Sequence, residues 1–293
     1  MPVEIAGSEA RPNLVEGPIL GEDMIRRRIV AGGHQLQVAV IGDLRPGQPA
    51  LVFLHEGLGS IGQWRDYPRA LGGACDLPLV IYERWGFGGS EPLTLPRPRD
   101  YLTQEAEVAL PELLAGLGVD RPVLYGHSDG GTIALLYGAA KETKPVCIIT
   151  EAAHVFVEEI SLAGIRDAVR AWETSDLPQR LARYHGSEAE TVFRGWAETW
   201  LRPDFRDWSM TDRLARIDSP CLVCQGADDQ YGSLDQVEAI LSGVSGPAEP
   251  LVLPNCGHTP HREARDEMLR AAKQFILRHL DGGLGKETPG RSR

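Results

Sequence analysis

Gly126-His127-Ser128-Asp129-Gly130-Gly131 concentrates more potential chemistry than any other stretch of the chain. The apolar residues 123–125 precede it and the helical run 132–140 follows it, so Ser128 sits on a tight turn between a strand and a helix. Such a turn pushes the hydroxyl outward at the end of the strand. It also aims a helix N-terminus, with free amides and a positive dipole end, at the place where an oxyanion would form. Glycine and serine alone could mark an ordinary turn, but the order strand, turn, helix favours a nucleophile.

A serine hydroxyl at neutral pH is a weak nucleophile and needs a base. Of the eight histidines, His127 is expected to point away from Ser128. His34, His185 and His279 fall in polar, surface-like stretches, and His261 belongs to the start of the last helix. His258 follows the strand 251–253 through Pro254-Asn255-Cys256-Gly257 and can reach over Ser128 from a neighbouring loop. A third group must orient the imidazole and stabilise its charged form. Asp228 and Asp229, after the strand 221–225, stand at the right edge for that. Only one of the pair is expected to face the histidine, the other being an acidic turn residue in water.

The elements that must bring these groups together alternate in type. Strands are expected at 38–41, 50–55, 79–82, 122–125, 146–150, 221–225 and 251–253. Helices are expected at 103–117, 132–140, 234–241 and 263–280. This alternation implies a mostly parallel sheet covered on both faces. Residues 152–216 break it with helical periodicity and carry four of the six tryptophans. They read as a helical cap inserted into a core made of 23–151 and 217–280. Residues 1–22 read as an irregular arm and 281–293 as a disordered tail.

The chain resembles the α/β-hydrolase fold superfamily over residues 29–280. The likeness rests on the elbow Gly126–Gly130, on Gly226 followed three positions later by Asp229, on Gly257-His258, and loosely on His55-Glu56-Gly57-Leu58-Gly59. It implies a Ser128–Asp229–His258 triad, and favours Asp229 over Asp228. It also implies oxyanion donors at the amides of Asp129 and of Gly57 or Leu58, with Glu56 departing from the glycine many relatives carry there. The Ser-Asp-Gly-Gly elbow is similar to that of valacyclovirase-type amino-acid-ester hydrolases. A turn like Arg84-Trp85-Gly86-Phe87-Gly88-Gly89-Ser90 is common in the superfamily, where it is architectural.

His154 and Phe156, just past the strand 146–150, are expected to line the pocket. Glu56 is a further substrate-binding candidate, and the Asp129 carboxylate could meet a cationic substrate group, although acids are favoured in a helix's first turn anyway. The resulting expectation is a serine hydrolase acting on a small carboxylic ester. The same groups would serve C–C, amide or lactone hydrolysis, and a receptor-like fold with little turnover is the alternative of another class.

With 30 Lys and Arg against 41 Asp and Glu, the net charge of −11 on 293 residues argues against nucleic acid or an anionic membrane as partner. No secretory signal or membrane-spanning run is read from the sequence, and the expected setting is cytoplasmic, as a monomer or homodimer. Cys221 and Cys224 have metal-ligand spacing but lie in a strand, where positions three apart face opposite ways. No metal or organic cofactor is expected.

Overall fold

The computed structural model describes residues 23–140 and 144–280; the expected arm and tail lie outside the described residues. Eight strands form one sheet: β1 (Ile25–Ala31), β2 (His34–Ile41), β3 (Pro49–Leu54), β4 (Leu79–Glu83), β5 (Arg121–His127), β6 (Cys147–Glu151), β7 (Cys221–Gly226) and β8 (Ala248–Leu253). Their spatial order is β1-β2-β4-β3-β5-β6-β7-β8. The first two pairings are antiparallel and all the others parallel.

Among the described residues, ten α-helices accompany the sheet. α1 (Tyr67–Cys75), α2 (Tyr101–Gln104), α3 (Leu110–Leu117) and α4 (Asp129–Ala139) belong to its first half. α5 (Glu159–Thr174), α6 (Leu177–His185) and α7 (Ala189–Leu201) lie between β6 and β7, and α8 (Leu234–Gly243), α9 (Pro260–Glu263) and α10 (Arg265–Leu280) follow β7. Among the described residues, no helix is long and apolar enough to cross a membrane.

Strand parity sorts the core into two layers. Val38, Val40, Val52, Leu54, Leu124 and Ile148 face one cluster, completed by helices that include α3, α4 and α7. Their neighbours Ala39, Ile41, Leu51, Phe53, Val123, Tyr125 and Ile149 face the other, against α1 and α10. The alternation of side chains along each strand produces this division. Cys221 falls in the first layer and Cys224 in the second, so the two thiols do lie on opposite faces.

β1 and α1 were not expected from the sequence. β1 is an edge strand whose first four residues are exposed. It therefore lacks the apolar alternation that marks a half-buried strand, and the Gly32-Gly33 turn, both residues at positive φ, is what folds it onto β2. The single helix expected at 263–280 is broken into α9 and α10 at Ala264.

Candidate active site

β5 ends at His127, α4 begins at Asp129, and Ser128 between them has φ 52° and ψ −117°. This conformation is unfavourable for a residue with a side chain, by about 1–3 kcal/mol. The surroundings enforce it. The Ser128 amide donates to the Glu151 carbonyl at 2.8 Å, and its carbonyl accepts from Thr132 at 3.0 Å. A Cβ at Gly126 would lie 2.2 Å from the Gly130 oxygen, and one at Gly130 would lie 1.9 Å from the Leu54 oxygen. The elbow thus packs backbone against backbone, and only glycine fits on either side of the serine.

His258 arrives from the loop after β8. Its Nδ1 lies 2.9 Å from both carboxylate oxygens of Asp229. Asp229 is buried whereas Asp228 is exposed, its amide bonded to the Cys256 carbonyl. The Asp229 carboxylate also accepts from Gln225 Nε2 at 2.7 Å and from the Tyr231 amide at 2.8 Å. Burial alone would raise its pKa, but the hydrogen bond and charge of His258, with the Tyr231 amide, hold it below the ordinary carboxylate value.

Ser128, His258 and Glu56, Gly57 and Leu58 of the loop after β3 line one cavity of about 230 Å³. Among the described residues, Ser128 Oγ makes no direct hydrogen bond to the imidazole; such contacts are often long without substrate.

The loop 55–61 is held from several sides. Arg84 donates to the Glu56 carbonyl at 2.9 Å, and Glu83 accepts from the Ile61 amide at 3.1 Å. The Leu58 amide donates to the Glu56 carboxylate, so of the two expected loop donors Leu58 is already engaged. Among the described residues no acceptor takes the Gly57 or Asp129 amides, and both residues line the cavity. Burial raises the Glu56 carboxyl, partly offset by the Leu58 amide.

His154 and Glu56 line the cavity; Phe156 does not, and instead bridges to Ser209 within the inserted segment. Phe156 packs half-buried against the first core layer, and Gln236 Nε2 donates to its carbonyl at 3.1 Å. One oxygen of the Asp129 carboxylate is already engaged: Arg84 lies 3.3 Å from Oδ2, Tyr101 donates to the same oxygen at 2.8 Å, and all three side chains are buried, while Oδ1 has no hydrogen-bond partner among the described residues. The Arg84 turn therefore does more than shape the backbone.

Several site residues escaped sequence reasoning. Trp196 and Trp200 of α7 line the cavity, and a Cβ at Gly57 would lie 2.4 Å from the Trp196 ring. Their i,i+4 spacing was the available signal. His185, expected at the surface, is 2% exposed. His261 Nδ1 bonds Glu151 at 2.7 Å, and His127 Nε2 donates to the carbonyl of His258 at 2.6 Å. Burial, then the neighbouring His258 and His261, holds His127 well below the usual histidine value. Ligand atoms of His127, Glu151 and His261 lie within 4.8 Å of one another, the one group among the described residues close enough to hold an ion. Hydrogen bonds already use two of its three members against each other, and no sequence spacing pointed to it.

Residues 51–271 match the model of the alpha/beta hydrolase family. The chain belongs to that family. It is 25% identical over 253 residues to a 2-hydroxy-6-oxo-6-phenylhexa-2,4-dienoate hydrolase of Comamonas testosteroni, covering 78% of this chain and 87% of that one. It is 27% identical over 235 residues to a proline iminopeptidase of Levilactobacillus brevis, covering 67% and 78%. Among solved structures, a 2-hydroxy-6-oxo-6-phenylhexa-2,4-dienoate hydrolase from Rhodococcus sp. strain RHA1 superposes with a TM-score of 0.69 at 19% identity, covering 88% of this chain and 99% of that one. These likenesses make the chain a hydrolase of this fold.

Proposed function

We propose that this hydrolase cleaves a small carboxylic ester through a covalent acyl-enzyme. The observation that carries the reading is the His258 imidazole, tied through Nδ1 to buried Asp229 and facing the cavity that Ser128 lines. Ser128 Oγ attacks the acyl carbon while His258 Nε2 takes its proton. Asp229 fixes the tautomer and stabilises the imidazolium, and the amides of Asp129 and Gly57 receive the oxyanion. Collapse of the tetrahedral adduct expels the alcohol, protonated by His258. Water, deprotonated by the same histidine, then releases the acid and restores the serine. The small cavity supports a small substrate.

An amide or carbon–carbon bond is the second reading, favoured by the names of the two sequence relatives. Against a cationic amine at Asp129 stands the Arg84 and Tyr101 pairing of that carboxylate. The deciding experiment labels the protein with a fluorophosphonate and runs a panel of aryl esters, prolyl amides and dienoates. Labelling is expected on Ser128 alone, with S128A losing roughly 10⁶-fold in kcat. A folded S128A that turns over at the wild-type rate removes the reading.

A further inference from the structure

His185 ends α6, the second helix of the inserted segment, and its ring is buried edge-on against Phe87 at 6.0 Å between centroids. It bridges two loops of the core. Its Nδ1 accepts from the Gly88 amide at 3.0 Å, and its Nε2 donates to the Leu58 carbonyl at 2.9 Å. One neutral tautomer satisfies both partners. Burial brings this imidazole down to about 4, so that form prevails at neutral pH.

Both bonds end where placement matters. Leu58 adjoins Gly57 in the oxyanion loop, and its carbonyl also accepts from Gln63 Nε2 at 2.9 Å, within the same stretch of chain. Gly88 lies in the turn whose next amide, that of Gly89, donates to Glu83 at 2.7 Å, while the other oxygen of Glu83 holds Ile61 at the far end of the oxyanion loop. Gly88 has φ +51°, and a Cβ there would lie 2.1 Å from the Glu83 carboxyl carbon. The turn therefore cannot shift without moving Glu83. The Gln63 bond closes the oxyanion loop on itself, whereas the His185 bond ties it to a separate element. Tyr184, beside His185, packs on the same loop, 3.3 Å from where a Cβ at Gly62 would be.

We propose that His185 is a positioning residue through which the helical insertion sets the oxyanion loop: its two hydrogen bonds, to Leu58 and Gly88, hold the Gly57 amide where the tetrahedral intermediate needs a donor. The insertion then does more than wall the pocket, because α6 must be seated for the core's oxyanion donor to be in place. This rests on the assignment of Gly57 under the proposed function.

The test compares H185Q, whose amide can both accept from Gly88 and donate to Leu58, with H185F, which keeps a ring on Phe87 but makes neither bond. With an aryl ester that labels and turns over at Ser128, H185F is expected to lose about ten- to a hundredfold in kcat. That is less than the 10²–10³ of deleting an oxyanion donor outright. KM should stay within about twofold, and H185Q should recover most of the rate. Wild-type kcat in folded H185F, or a loss that H185Q does not recover, overturns the proposal. If H185F does not fold, H185M takes its place under the same criteria. Turnover persisting in S128A would instead sink the proposed function itself, so the two failures are told apart.

Discussion

Asp228 and Asp229 are chemically identical neighbours with opposite fates, and the backbone separates them. The Asp228 amide is bonded to Cys256 while its carboxylate lies in water; the Asp229 carboxylate is buried, with His258, Gln225 and the Tyr231 amide as donors. D229N should therefore cost about 10⁴-fold in kcat, because an amide there favours the wrong imidazole tautomer. D228N should change it by less than about threefold, as an exposed substitution does. Steady-state kinetics on both variants check this, and the reverse ranking would place the acid on the wrong aspartate. A second residue-scale consequence concerns His185. Its pKa falls from the ordinary 6.5 to about 4 in the fold, so the unfolded chain takes up a proton there first. The stability tied to its neutral form is complete above pH 6.5 and is lost as pH falls towards 4. The stability advantage of wild type over H185Q should shrink by on the order of 2 kcal/mol between pH 7.5 and pH 5. Denaturant melts at both pH values measure it, and a constant difference would mean that the ring is protonated normally.

At the scale of elements, the strand–turn–helix around Ser128 was legible because each of its parts has a local signature: an apolar run, glycines two residues away on each side, and a helical run. The same holds for the strands from β2 to β7, whose buried faces impose a pattern, whereas β8, an edge strand with only Leu253 buried, was legible just in its apolar end 251–253. β1 was illegible because an exposed edge strand buries too little to need one. The partners of Asp129 were illegible for a different reason. Arg84 and Tyr101 come from β4's following turn and from α2, and only the fold brings these distant segments together. Glycine's part in the elbow can be tested directly. A methyl group at residue 130 would sit 1.9 Å from the Leu54 carbonyl, which belongs to β3 and cannot retreat without breaking its pairing to β5. G130A should cost at least about 3 kcal/mol, at the upper end for overpacking because backbone rather than a side chain must give way. At this chain length that lowers Tm by roughly 5 °C or more. A calorimetric Tm within a degree of wild type would show that the elbow has slack.

For the whole molecule the question is whether the helices between β6 and β7 fold and move with the core or apart from it. Their entry is stitched to the loop that carries Asp229. His154 Nε2 donates to the Tyr231 carbonyl at 2.9 Å, and the Gln236 side chain accepts from the Val155 amide at 2.8 Å. The Glu158 carboxylate accepts from the Ser233 amide at 3.0 Å, from the Ser233 hydroxyl, and from Gln236 Nε2 at 2.7 Å. With His185 anchoring the far side, the insertion is fastened at both ends of the cavity, which argues for one cooperative unit. Four of the six tryptophans lie in the insertion, so tryptophan fluorescence weights its unfolding, whereas far-UV circular dichroism follows the whole chain. In wild type the two denaturation curves should coincide. E158A leaves the half-buried Ser233 amide without its acceptor and Gln236 Nε2 with the Phe156 carbonyl alone, at about 1 kcal/mol for each lost bond. It also frees the acid loop on the side opposite His258. Its fluorescence transition should therefore fall to lower denaturant than its dichroism, and kcat should drop with it because Asp229 is no longer steadied. Separate transitions already present in wild type would mean that the insertion is an independent unit, and that contacts made through it cannot set the geometry of the site beneath.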